Sequence, residues 1–507
     1  MTTTPDSRNP IFQPDSEANR FLRSQVAPPD WNNPKPKPLY NLVVIGAGSG
    51  GLVTAAGAAG LGAKVALIEK NALGGDCLNV GCVPSKALLA SAKQATAARR
   101  GEPFGVKTEG VTVDFPAVMD RMRELRKEIS PHDSAERFKG LGIDVVLGSG
   151  RFKDRETIQV GDTELKFKKA VIATGGRAII LPIPGLSDAG ALTNETLFSL
   201  TELPPRLAVI GAGPIGCEMA QAFARFGSAV TLFESECRIL PREDTEAAAI
   251  VREALHRDGV KSICEVKIEK VESDQAGKSI HAELKGKKEV FQFDHILVGV
   301  GRAPNVDGLG LEKVGVDFDK RKGVKVDERL RTTNKRIFAV GDVAMQYKFT
   351  HMAGATARLV LQNALFGGRK KYTGLIVPWV TYTQPEIAHV GLNEAEARER
   401  YGSALETFTQ PFSSMDRAIL EGHREGFVKV HAVKGKIVGA TIVGEHAGEL
   451  ISEVTVAMQA GLKLGQLASV IHPYPTLAEG IQRIGDAYNK TRFTPFIQKI
   501  FRWWLKT

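Results

Sequence analysis

Short apolar runs that stop at glycine recur along this chain, and their order predicts its architecture. Tyr40 to Ile45 is apolar at almost every position and ends in Gly46-Ala-Gly-Ser-Gly-Gly51. Such a run, closed by glycines, predicts a strand buried on both faces of a parallel sheet. An alanine-rich stretch follows, which predicts a helix, and then a second apolar run from Val65 to Glu69. The same order returns as Leu207-Ala-Val-Ile-Gly-Ala-Gly-Pro-Ile-Gly216, another alanine-rich stretch, and a run ending at Glu234. Residues 169–176, 294–301 and 336–342 are further strands running into glycine turns, and beyond about residue 376 the pattern predicts a separate α+β domain. The first 38 residues are polar and contain eight prolines. They predict a surface-draped arm without regular structure.

A single glycine fingerprint carries little information. Two copies, with the acid eighteen positions after the last glycine in both, predict two dinucleotide-binding folds. In such a unit the first glycine permits a tight turn, the second lets the backbone approach a pyrophosphate, and the third lets helix and strand pack closely. The pyrophosphate then sits at a helix N-terminus, where free N–H groups favour anions. Glu69 and Glu234 end their strands where an adenosine ribose hydroxyl pair would lie. The alternative is a pair of glycine turns that bind nothing.

Composition narrows the class. At 507 residues the chain is long enough for two to four domains, and 43% hydrophobic with 24% charged residues is ordinary for a globular protein. No stretch approaches the roughly 20 apolar residues of a spanning helix, and the opening lacks the apolar segment of a secretory signal. The net charge of +10 is spread along the chain, so a nucleic-acid partner is not expected. Five cysteines in so long a chain do not make a secreted disulfide framework. Their usage fits a reducing, cytoplasmic compartment.

Cys77 and Cys82 lie close together in Gly74-Gly-Asp-Cys-Leu-Asn-Val-Gly-Cys-Val-Pro-Ser-Lys86. No second ligand pair accompanies them, so no metal site is expected. Residues five apart in a regular helix are about 8.6 Å apart, beyond the roughly 4.4–6.8 Å of a disulfide. A bridge would need a distorted turn, for which Gly81 and Pro84 are suited. Such a bridge would be easily reduced and fit for catalysis. Two unpaired cysteines are the alternative, and the other three default to small buried or surface residues.

With these residues in place, the chain resembles the flavin-dependent class I pyridine nucleotide–disulfide oxidoreductases over about residues 39–490. The two glycine folds, the GGDCLNVGCVPSK stretch, Ala173-Thr-Gly175, Gly301-Arg-Ala-Pro-Asn305 and Gly341-Asp342 carry the resemblance. It implies an α/β chain with two Rossmann-like domains, for FAD and for NAD(P), plus an α+β dimerisation domain in a homodimer. The implied boundaries are an arm over 1–38, FAD-binding parts over 39–180 and 301–375, NAD(P)-binding over 181–300, dimerisation over 376–492 and a tail over 493–507.

The resemblance assigns FAD to Gly46, Gly48, Gly51, Glu69, Gly75, Thr174, Gly175 and Asp342. It assigns the nicotinamide nucleotide to Gly211, Gly213, Gly216, Glu234 and Gly301. A carboxylate at Glu234 favours NADH over NADPH. Electrons would pass from the nicotinamide through the flavin to a Cys77–Cys82 disulfide. Cys82 would lie nearest the flavin, Cys77 would be the interchange thiol, and Lys86 would pair with Glu218.

One segment departs from the disulfide reductases of the family. Where they carry His-Pro-Thr-x-x-Glu, this chain has Tyr474-Pro-Thr-Leu-Ala-Glu479, with His472 two residues early. Tyrosine, with a pKa near 10, is a poor proton shuttle at neutral pH. Mercuric reductase also has Tyr there, so the resemblance points to a metal-ion or other small acceptor. A dihydrolipoamide dehydrogenase using His472 and a redox sensor without turnover are the alternatives. The tail mixes aromatics with Lys499, Arg502 and Lys506. It suits either peripheral contact with the inner face of a membrane or packing on the dimer partner.

Overall fold

The computed structural model describes residues 9–275 and 277–506. Its described residues divide into two units, one within 9–211, 222–231 and 266–375 and one within 212–221, 232–265 and 376–506. The first unit holds a seven-stranded sheet. Its order is Asp144–Leu147, Val65–Glu69, Tyr40–Ile45, Thr163–Ile172, Thr157–Val160, Gly150–Asp154, with Ile337–Ala339 also paired to Thr163–Ile172. Tyr40–Ile45 is parallel to both neighbours, and Val44 faces Leu67 on one side and Val171 on the other. Being central, its apolar side chains are buried on both faces, as the unbroken apolar run predicts. The strand Arg206–Ile210 of the second repeat likewise runs parallel to His295–Val298.

The second unit carries the expected α+β domain. Five antiparallel strands stand in the order Pro378–Thr381, Glu386–Gly391, Lys436–Gly444, Phe427–Val433, Glu406–Pro411. Residues of the helices Ala447–Ala460 and Glu479–Thr491 share its core, with Ile451, Val454, Ile481 and Ile484 buried against Val428, Val430 and Ile442.

The arm departs from expectation. Glu17–Val26 is a helix, capped where Asn19 N–H donates to Ser16 Oγ. Ala18, Leu22 and Val26 bury one face at helical spacing. Prolines flank this segment but do not enter it. Buried Arg126 ties the helix to the cysteine segment, donating to Asn19 Oδ1 and to the Asn79 carbonyl, each at 2.7 Å. Residues 1–8 of the arm and Thr507 of the tail lie outside the described residues. Among the described residues no helix is long and apolar enough to cross a membrane.

Candidate active site

The first glycine turn is shaped by close approach. Gly46 adopts φ +103°, and a Cβ there would collide with the Ala173 carbonyl. A Cβ on Gly75 would lie 2.6 Å from Gly48 Cα, and Gly48 bridges Gly74. Two glycine loops therefore meet backbone to backbone at the start of the helix Ser49–Gly60. Its first amides are an anion site. This cradle fits the pyrophosphate of a bound FAD.

The second turn repeats the first. Gly211 also has φ +103°, and a Cβ there would press on the Gly299 carbonyl. The two acids repeat as well. Glu69 Oε2 accepts from Ala47 N–H at 2.7 Å, and Glu234 Oε2 accepts from Ala212 N–H at 2.7 Å, each across 22 residues. Their other oxygens accept from Asn71 N–H and from Ser235 N–H. Four lone-pair sites per carboxylate leave room for ribose hydroxyls. Burial pushes the Glu69 carboxyl above its ordinary range, while the amides of Ala47 and Asn71 pull the other way. In the second copy Gly213 offers its carbonyl to Cys217, and Gly216 lies inside the helix Pro214–Phe226.

The cysteines sit at two successive helix starts. Cys77 belongs to the short helix Gly75–Asn79, and Cys82 is the first residue of Cys82–Arg99. The expected bridge between them is not formed, and both are thiols. Cys77 instead hydrogen-bonds to Cys82, which together with burial and the neighbouring charge pushes its thiol far up. Cys82 Sγ lies 3.4 Å from Thr350 Oγ1. Cys82 is exposed and Cys77 half-buried. Residue 82 opens its helix, whereas residue 77 is flanked by buried Leu78 and Asn79. Lys86 lies one turn beyond Cys82 on the same helix face.

Asp342 is paired beside this segment. Arg302 bonds to Asp76 and lies 3.4 Å from Asp342 Oδ2. Burial raises the Asp342 carboxyl, against the pull of Arg302 and Lys348. Thr174 Oγ1 donates to the Asn305 carbonyl, Asn305 N–H donates to Gly175, and Ile179 N–H donates to Gly301. The turns at 173–175 and 301–305 are thus locked together. Asp76, Arg302 and Thr350 were not singled out in the sequence. Arg302 had a signal in the Gly301–Asn305 motif and Asp76 in the Gly74–Lys86 stretch, whereas Thr350 had none.

The remaining residues fall in the second unit. Buried Glu218 accepts from Tyr382 N–H at 2.9 Å. Lys86 and Glu218 belong to different units. Tyr474 donates to Asp416 Oδ2 at 2.8 Å, and that carboxylate raises its phenol further. His472 Nε2 lies 2.9 Å from Glu453 Oε1 and its Nδ1 3.0 Å from the Val470 carbonyl. Glu479 accepts from Thr476 N–H.

The bridge that does form is one that sequence spacing did not reveal. Cys237 and Cys264, 27 residues apart, are disulfide-bonded, so they are not the isolated cysteines expected. Their partnership depends on which strand ends lie side by side, which no local motif encodes.

The pyridine nucleotide-disulphide oxidoreductase family matches residues 40–357, and its dimerisation domain matches 377–484. A mercuric reductase of Staphylococcus aureus is 35% identical over 94% of this chain and 87% of its own length. A dihydrolipoyl dehydrogenase of Geobacillus stearothermophilus is 36% identical over 86% of this chain and 93% of its own. Among solved structures, the Cu(II) complex of the HOCl-induced flavoprotein disulfide reductase RclA from Escherichia coli superposes with a TM-score of 0.79. It is 29% identical and covers 89% of this chain and 100% of that one. The duplicated glycine cradles, their acids and these matches agree: the chain belongs to the pyridine nucleotide-disulphide oxidoreductase family, FAD-dependent oxidoreductases that use a pyridine nucleotide.

Proposed function

We propose that this chain oxidises NADH and delivers the electrons through Cys77 and Cys82 to a soft metal ion. FAD, when bound by Gly46, Gly48, Gly51, Glu69, Gly75, Thr174, Gly175 and Asp342, supplies a two-electron carrier between nicotinamide and sulfur. Gly211, Gly213, Gly216, Glu234 and Gly301 hold the nucleotide, and the Glu234 carboxylate disfavours the 2′-phosphate of NADPH. Cys82, at a helix N-terminus one turn before Lys86, is held where a thiolate is favoured. Two electrons open the Cys77–Cys82 bond. The resulting thiolates ligate the cation and pass on two electrons, both to one Hg²⁺ or one each to two Cu²⁺ ions, and the sulfur–sulfur bond re-forms. Lys86 supports the thiolate electrostatically, and the active species is a homodimer.

The observation that carries the choice of acceptor is the arrangement around Tyr474. Its hydroxyl is engaged by Asp416 and its proton is held more tightly than usual, while His472 is turned to Glu453. Tyr474 is therefore not set up to return a proton to a thiolate leaving group near neutral pH. A cation needs electrons and sulfur ligands, not a proton. Likeness to mercuric reductases and to a reductase solved with Cu(II) agrees with this reading. With Hg²⁺ or Cu²⁺ as acceptor, NADH oxidation is expected to exceed that with lipoamide by about tenfold or more, some 1.4 kcal/mol of transition-state preference. A faster lipoamide reaction would overturn the metal assignment in favour of a dihydrolipoyl dehydrogenase. A protein that oxidises NADH with none of these acceptors would be a redox sensor.

The tail helix Pro495–Trp504 has no buried residue, and this favours a second partner. At 100° per residue, Gln498, Lys499 and Arg502 fall on one arc of about 100°, and Phe496, Ile497, Ile500, Phe501, Trp503 and Trp504 fill the rest. We propose that this wide apolar face, edged only by positive charge, lies on an anionic lipid surface at the inner side of the membrane. The full chain is expected to sediment with phosphatidylglycerol vesicles and a chain lacking 493–506 to remain in solution. Equal sedimentation of both forms, or a truncated chain that is monomeric, would overturn it.

A further inference from the structure

The second pair of sulfurs lies beside the second ribose acid. Cys237, three residues after Glu234, is exposed, and Cys264, next after the strand Lys261–Ile263, is half-buried. Their Cα atoms are 4.9 Å apart. The backbone is joined at the same place, where Glu234 N–H donates to the Ile263 carbonyl at 2.9 Å. Beyond the bridge the loop is pinned again. Arg238 Nη2 donates to the Glu243 carbonyl, Leu240 N–H donates to the Ala212 carbonyl, and Ile239 and Leu240 are buried. Ala212 is also the amide that holds the Glu234 carboxylate. Leu240 at φ +46° and Glu265 at φ +56° flank the bridge. Side chains such as these hold left-handed conformations only when their surroundings impose them.

We infer that Cys237 and Cys264 form a second redox-active pair, and that their bonded form holds the 234–240 loop in the conformation that receives the adenosine ribose of the nicotinamide nucleotide. This rests on the reading of Glu234 as the ribose acid. The pair is open to exchange because Cys237 is an exposed residue. One thiolate of a small dithiol attacks that sulfur, forms a mixed disulfide and expels Cys264 as thiolate. The second thiolate of the dithiol displaces Cys237. Two electrons and two protons reach the pair, and the dithiol leaves as a cyclic disulfide. In the other direction hydrogen peroxide oxidises the Cys237 thiolate to a sulfenic acid, releasing hydroxide. Cys264 then displaces the sulfenic oxygen as water and restores the bond. The opened loop samples more conformations, and the nucleotide must order it again on binding.

The test uses the FAD-loaded protein and ADP-ribose, which carries the adenosine ribose and pyrophosphate but no nicotinamide, so no electrons move. In untreated protein iodoacetamide is expected to leave residues 237 and 264 unmodified. After dithiothreitol both are labelled, and ADP-ribose binding weakens about fivefold to tenfold, the cost of ordering a loop. Peroxide restores it. The Cys237→Ser/Cys264→Ser protein is expected to bind as weakly as the reduced form and to ignore both reagents, which separates the effect from reduction at Cys77 and Cys82. Labelling of Cys237 without reductant, or equal affinity of the bonded and opened forms, overturns the inference. Glu234→Ala is the companion measurement. If it binds ADP-ribose as tightly as the unaltered protein, the ribose assignment fails; if it binds weakly while reduction changes nothing, only the role of the sulfur pair fails.

Discussion

Cys82→Ser is expected to lower acceptor-dependent NADH oxidation by at least about a thousandfold, the scale of losing an essential nucleophile. The cradle that would hold FAD is made of backbone at Gly46, Gly48 and Gly75 and of Glu69, none of which the substitution touches. Flavin content and the first reduction by NADH should therefore survive. What is lost is the sulfur at the first position of the helix Cys82–Arg99, where unsatisfied amides favour a thiolate. A serine hydroxyl is of similar size but neither ionises near neutral pH nor bonds to Cys77. The spectroscopic signature separates the two cysteines. In an anaerobic NADH titration the long-wavelength absorption of a thiolate lying against an isoalloxazine should vanish in Cys82→Ser and persist in Cys77→Ser. Retention of more than a tenth of the turnover by Cys82→Ser, or the opposite spectral pattern, would remove the thiol pair from the reaction.

What was legible in the sequence was what repeats locally. The strand, glycines, helix and acid of each nucleotide fold are set by backbone needs within some thirty residues, and the Ala47–Glu69 and Ala212–Glu234 hydrogen bonds match to a tenth of an ångström. What depends on chain segments far apart was not legible. The arm helix is short, and its buried face shows only against Arg126 and its neighbours. The Cys237–Cys264 bond depends on strand ends meeting at Glu234 and Ile263. Thr350 reaches Cys82 across 268 residues. In each case local propensity was silent and tertiary packing decided.

Lys429 is the sharpest case of that kind, and its replacement should be among the most destabilising in the chain. Within the strand Phe427–Val433 it stands between valines and is 1% exposed, where a lone cation is costly unless paired. It is paired three times: with Glu246, with Glu394 Oε2 at 2.9 Å and with Asp244 Oδ2 at 3.3 Å. Asp244 in turn accepts from Glu394 N–H and from Thr441 Oγ1, and Thr441 Oγ1 lies 2.9 Å from His389 Nδ1. Burial alone would raise the Asp244 carboxyl, but the Glu394 amide, Lys429 and Thr441 together hold it below its ordinary value. Lys429→Met keeps the apolar stem and removes the charge, leaving buried Asp244 without its cation while Glu394 keeps only Arg398. Breaking a buried pair in this way costs about 3–5 kcal/mol, which calorimetry of the FAD-loaded protein at pH 7.5 should register as a midpoint lower by several degrees. The sign of the pH dependence follows from the lowered carboxyls. Their contribution is present above their unfolded pKa, near 4, and is lost as pH falls through the still lower folded value. Without Lys429 those carboxyls take up protons at higher pH. The gap between the two proteins should therefore be widest near neutrality and narrow as pH drops from 7 towards 4. An unchanged midpoint at pH 7.5, or a gap that stays constant on acidification, would show that the lysine is held by packing of its methylenes and not by its charge.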